Sequence, residues 1–146
     1  MRLALHNWLE DSLMVCGIPL TDARAAEPWL QFAFAEDWEY EEGDTIVRCK
    51  TNNTLATVNV NLFQASLDND KLSALRILDH SGPGGRGVGP FLYKDANGST
   101  KVTAPRCWIH KAPDFEVAKK TGVISWDFRM QVDQKAIFIG GKLSKI

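Results

Sequence analysis

The stretch "KAPDFEVAKKTGVISWDFRM", residues 111–130, decides the fold class. A polar, lysine-rich turn runs into a segment in which apolar and polar residues alternate without a break. Side chains alternate across a strand, so Ile124, Trp126, Phe128 and Met130 share one face. Val123, Ser125, Asp127, Arg129 and Gln131 share the other. A strand with one oily and one polar face belongs in an antiparallel sheet packed on one side and wet on the other.

The same period of two recurs elsewhere. Ala56, Val58, Val60 and Leu62 alternate with Thr57, Asn59, Asn61 and Phe63. Leu30, Phe32 and Phe34 alternate with Gln31, Ala33 and Ala35. Residues 88–94 and 101–110 read as strands around Asp95-Ala96-Asn97-Gly98, where Asn-Gly suits a hairpin turn with positive φ. Cys16-Gly17 suits a second hairpin, between Leu13–Val15 and Ile18–Leu20. The opening stretch reads as a further strand, and Ala136–Ile139 as the last, after a turn at Asp133-Gln134.

One segment departs from this period. Leu72, Leu75 and Leu78 fall at helical spacing within residues 68–78, predicting one amphipathic helix of about three turns packed on a sheet. Asp68 or Asn69 is placed to cap it, and Asp70 complements the helix dipole. Gly82 and Pro83 stop it. The fold class is therefore mainly β, a β-sandwich or open barrel with one flanking α-helix, in a single domain spanning residues 1–146.

Composition narrows the function. The chain has 146 residues, 45% hydrophobic and 24% charged, with a net charge of −1. That balance gives no broad basic surface for gripping nucleic acid. There is no apolar run of about 18 residues to span a membrane, and the start lacks the apolar core of a secretory signal. Cys16, Cys49 and Cys107 are widely spaced and odd in number, which reads as reduced, mostly buried thiols of a cytoplasmically made protein.

Tests for catalytic chemistry find no motif. The Gly/Pro-rich stretch 81–90 follows a helix and leads to a strand, and it lacks Gly-Lys-Ser/Thr, so it reads as a connector rather than a phosphate cradle. His6, His80 and His110 form no metal-ligand pattern. Cys107 and His110 sit three apart on a strand and fall on opposite faces, out of reach of each other. No cofactor, metal or enzymatic activity is expected. The acidic run "EDWEYEEGD", residues 36–44, lacks calcium-loop spacing. It reads as a solvated loop or, more pointedly, as a loop that meets a basic partner surface. Trp38 within it marks either local packing or a partner contact.

The order of strand, "DNDKLSAL" helix, "PFLYKDANGSTKVTAPRCWIHKAPD" and "GVISWDF" resembles the small tail tube proteins of long-tailed bacteriophages, those with contractile tails above all. The resemblance runs over residues 30–140, carried by Asn69 to Leu78, Asp95 to Gly98, Trp108 to Asp114 and Gly122 to Phe128. The first 29 residues have no counterpart in the pattern. The resemblance implies a structural virion protein that forms hexameric rings. Inner sheets of neighbours would join into a ring-wide barrel, and the rings would stack into the conduit for DNA ejection. It implies tail sheath, baseplate and tail terminator proteins as partners, DNA passing without specific binding, and a place in the virion tail after synthesis in the host cytoplasm.

On that reading, Thr57, Asn59, Asn61, Ser125, Asp127, Arg129 and Gln131 are the candidate channel-facing residues. Glu36, Asp37, Trp38, Glu39, Glu41, Glu42 and Asp44 belong to an inter-ring loop spanning 36–53. Lys119, Lys120, Lys142 and Lys145 are its candidate targets. An initiator or terminator ring of the same fold, or a monomeric β-sandwich binding module, remains the alternative.

Overall fold

Antiparallel pairing of two long strands organises the molecule. The computed structural model describes residues 11–20, 29–96 and 98–141. The expected opening strand, His6, Trp8, Asn97, Lys142 and Lys145 lie outside these residues. The strands are β1 (Ser12–Val15), β2 (Ile18–Pro19), β3 (Leu30–Ala33), β4 (Trp38–Glu41), β5 (Val47–Lys50), β6 (Leu55–Phe63), β7 (Gly89–Lys94), β8 (Lys101–Lys111), β9 (Val123–Gln131) and β10 (Ile137–Phe138). The helix α1 (Asp68–Ser81) lies between β6 and β7.

β6 and β9 pair over their full lengths, with Val58 opposite Phe128 and Val60 opposite Trp126. The alternation expected from sequence sets this register, because a slip of one residue would turn every apolar side chain outward. Val58, Val60, Phe128 and Met130 are fully buried. The strand order is β2-β1-β7-β8-β9-β6-β3, with β10 added on β8 beyond the end of β9. This is one hydrogen-bonded path rather than two separate facing sheets. It curls on itself: the Phe32 ring of β3 lies 5.7 Å from Phe91 and 5.8 Å from Tyr93, both on β7. The enclosed space is the core, filled from β1, β6, β7, β8 and β9 together with Leu72 of α1.

The helix differs from the expectation in three ways. It extends to Ser81 rather than 78. Neither Asp68 nor Asn69 caps it: Leu67 holds the cap position without a side-chain bond, and Ser66 Oγ accepts from the Asp68 N–H at 3.2 Å. Leu78 is exposed, as is Ile77, while Leu72 is buried in the core and Leu75 packs partly against it. Asp68 and Asp70 do occupy the first turn, where the dipole favours them. Asn69 is turned inward instead. Its Nδ2 donates to the Phe63 carbonyl at 2.8 Å, and its Oδ1 accepts from Trp126 Nε1 at 2.9 Å. Gly82, extended ahead of Pro83, ends the helix as expected.

The turns follow backbone sterics. Cys16 and Gly17 take φ of 53° and 83°, the left-handed pair that a tight hairpin requires. Gly98 has a different reason to be glycine. A Cβ there would come within 2.4 Å of Asp95 Oδ2. The stretch 81–90 is the expected connector, steadied by the Gly87 N–H donating to Asp79 Oδ1 at 2.9 Å.

Asp11 is 5% exposed. It accepts from the Tyr93 hydroxyl at 2.6 Å and from the Ala96 N–H at 3.4 Å. Burial first, and then the nearby Asp95 carboxylate, hold its carboxyl above the usual 3.8, although the Tyr93 bond pulls the other way. The folded chain thus holds this proton more tightly than the unfolded chain does. The stability it contributes is present at low pH and is lost as pH rises from the usual carboxylate value through the raised one. Asp11→Asn is expected to flatten the dependence of Tm on pH across that acidic window. Thermal melts between pH 3 and 7 check this, and a slope unchanged from wild type would contradict it.

Candidate assembly surfaces

The polar faces of β6 and β9 come together as the sequence reading requires. Thr57 lies opposite Arg129, Asn59 opposite Asp127, and Asn61 opposite Ser125. The face is wider than expected. β3 adds Gln31 beside Asn59 and Ala33 beside Thr57, and β8 adds Trp108 beside Arg129 and Arg106 beside Gln131. Gln31 and Ala33 were legible as one face of their strand, and residues 101–110 as a strand, but not that they pair beside β6 and β9; the alternation of Trp108 with buried Cys107 and Ile109 signals its side.

Charge on this face is largely paired. Arg129 NH1 donates to Asp127 Oδ1 at 2.5 Å. Ser125 Oγ donates across the strands to Asn61 Oδ1. Lys111, at the edge of the face, pairs with Asp114 at 3.2 Å. Arg106 is exposed at the far end of the face. Arg129 and Asp127 are only about a quarter to a third exposed, so the pair is screened less than a fully solvated one.

The acidic segment is not an irregular loop. β4 and β5 form a two-stranded antiparallel ribbon, hydrogen-bonded to no other strand among the described residues. Its base is closed by the Thr51 N–H donating to the Asp37 carbonyl at 3.1 Å and by Thr51 Oγ1 donating to the Glu36 carbonyl. The ribbon is an arm: of residues 36–50 only Trp38 and Cys49 are half-buried. Tyr40 is 60% and Ile46 69% exposed.

Trp38 has a local partner, since the Arg48 guanidinium lies 3.7 Å from its ring centroid. Glu36 and Asp37 stand at the base, Trp38, Glu39 and Glu41 on β4, and Glu42 and Asp44 at the tip. Lys119 and Lys120, the candidate targets, are exposed in the irregular stretch between β8 and β9.

Cys107 and His110 are not brought together. Cys107 is buried and His110 exposed, as their spacing implied. A bond with Cys16, together with burial, pushes the Cys107 thiol far up, so it stays protonated. Among the described residues, no three His, Cys, Asp or Glu side chains cluster to hold a metal. No helix among the described residues is long and apolar enough to cross a membrane.

No family model matches the sequence, and no curated protein shows significant similarity to it.

Proposed function

We propose that this chain is a structural subunit that assembles with copies of itself into stacked rings, forming a tube of the phage-tail type. The observation that carries the reading is the β4–β5 arm. A lone two-stranded ribbon is marginal in water, and this one exposes Tyr40, Ile46 and Val47 without packing on its own core. Its stable environment is the surface of another copy. Two further features support the reading. β2 and β3 end the hydrogen-bonded path and offer edges for sheet-to-sheet joining between subunits. The wet face of β3, β6, β9 and β8 suits a lining, with joined sheets forming a barrel around a channel.

A conduit for DNA must let phosphate slide past. The Asp127–Arg129 pair serves this by cancelling a cation on the lining. Asp127→Asn uncovers Arg129, and repetition around a ring makes a basic belt. Assemblies of this variant are expected to retain duplex DNA at low salt at least about tenfold more strongly than wild type, with the excess lost as salt rises. Filter binding at several salt concentrations checks it; equal retention would remove the role given to this pair.

The test of the reading itself is negative-stain microscopy of the purified protein at rising concentration, with and without a purified tail nucleus. Hollow tubes with a regular axial repeat are the expected result. Isolated rings that never stack would make the chain an initiator or terminator. Monomers under both conditions would overturn the reading.

A further inference from the structure

We propose that the Glu39–Glu41 side of the arm docks on the Lys94–Lys101–Phe138 row of a second copy. This deepens the self-assembly reading and rests on it.

The acceptor is a single cross-strand row. Lys94 of β7 lies directly opposite Lys101 of β8, and Lys101 lies opposite Phe138 of β10. All three are exposed, Phe138 at 61%. Like charges placed directly opposite each other destabilise a sheet, and among the described residues neither lysine has an ion pair. The nearest carboxylate in sequence, Asp95, interacts with Asp11 instead. An exposed phenylalanine beside two uncompensated ammonium groups calls for a partner that brings carboxylates and an apolar contact together.

The arm has such a side. Directly opposed residues of an antiparallel pair share a face, so Glu39 and Glu41 lie with their partners Cys49 and Val47. Trp38 and Tyr40 lie on the other side with Lys50 and Arg48. The ribbon therefore carries both of its cations on one side and two carboxylates beside an exposed valine on the other. Glu39 and Glu41 are about 7 Å apart along the strand, and the two lysines are about 5 Å apart across their strands. The spacings allow one carboxylate per ammonium, with Val47 toward Phe138. The opposite orientation would bring Arg48 and Lys50 against Lys94 and Lys101. Charge thus fixes which side of the arm docks. Lys119 and Lys120 offer no comparable register, since no strand holds them on one face.

The test is charge exchange in the full chain, read as the concentration at which assemblies sediment. Lys94→Glu with Lys101→Glu, and separately Glu39→Lys with Glu41→Lys, are each expected to raise that concentration at least about tenfold. The chain carrying all four substitutions is expected to return to within about threefold of wild type. Loss without restoration, or no loss from either pair, in variants that melt like wild type overturns the proposal.

A second measurement covers variants that fail to fold. Glu41→Cys and Lys101→Cys, made in separate Cys49→Ser chains and mixed under mild oxidant, are expected to yield a cross-linked dimer of the two chains. Absence of that dimer while the chains still assemble overturns the docking alone. Wild-type protein that never assembles overturns the tube reading, and no cross-link in that case overturns both.

Discussion

Asn69→Leu is expected to lower the unfolding free energy by about 3 kcal/mol, although leucine is the more apolar residue. The side chain of Asn69 holds three groups: it donates to the Phe63 and Gln64 carbonyls and accepts from the Trp126 indole. Leucine satisfies none of them. Trp126 is buried, so its N–H would be left without its acceptor away from water. The Phe63 carbonyl keeps the Ser66 N–H at 2.9 Å, so the loss falls mainly on the buried indole N–H and on the half-buried Gln64 carbonyl, at about 1–3 kcal/mol for a group orphaned away from water. Against a total stability of about 5–15 kcal/mol, the loss is severe. It should appear as a fall in Tm of about 10 °C. Chemical denaturation gives the free energy directly, and a loss below about 1 kcal/mol would show that Asn69 is not the pin between α1 and the sheet.

Removing the arm is expected to abolish assembly and leave the fold intact. Asp37 and Thr51 already meet in a backbone hydrogen bond of 3.1 Å, so residues 38–50 can be replaced by two glycines without moving the ends. No core residue is lost, because none of the buried cluster lies between Trp29 and Ala56. The melting temperature should stay within about 5 °C of wild type. Assemblies should be missing at concentrations about a hundredfold above the wild-type threshold, since a ribbon contact between copies carries several kcal/mol. Sedimentation velocity and calorimetry together check both halves. A truncated chain that still forms tubes would show that the arm is dispensable for stacking.

How much was legible follows from which side chains are buried. β6 and β9 announce themselves because one face is packed and the other wet, and Val58, Val60, Trp126 and Phe128 cannot be read otherwise. β4 and β5 were hidden for the opposite reason. With almost every side chain of the ribbon in water, no apolar alternation marks "DWEYEEGD" as strand. Asn69 was legible as a residue at a helix start, but the same amide chemistry serves a cap or an inward pin, and only the position of Trp126 decides between them. Leu78 keeps helical spacing but its side chain is exposed, and spacing alone does not tell how far along a helix the packing runs. The wet face was read from two strands and proved to have four, because alternation marks a strand's two faces but does not say which strands pair beside β6 and β9.

The strand order also has a kinetic consequence. β6 is held between β3 and β9, and β9 begins sixty residues after β6 ends. Until β9 arrives, β3 and β6 are only a ribbon pair, too weak to persist alone. The early steps of folding therefore belong to β7, β8 and β9, which are sequential neighbours, and the long-range closure onto β6 sets the rate. During synthesis the edge of β3 cannot be displayed in stable form before nearly the whole chain has emerged. Half-made chains thus lack that edge, and on the proposed assembly copies would join only once β9 is in place.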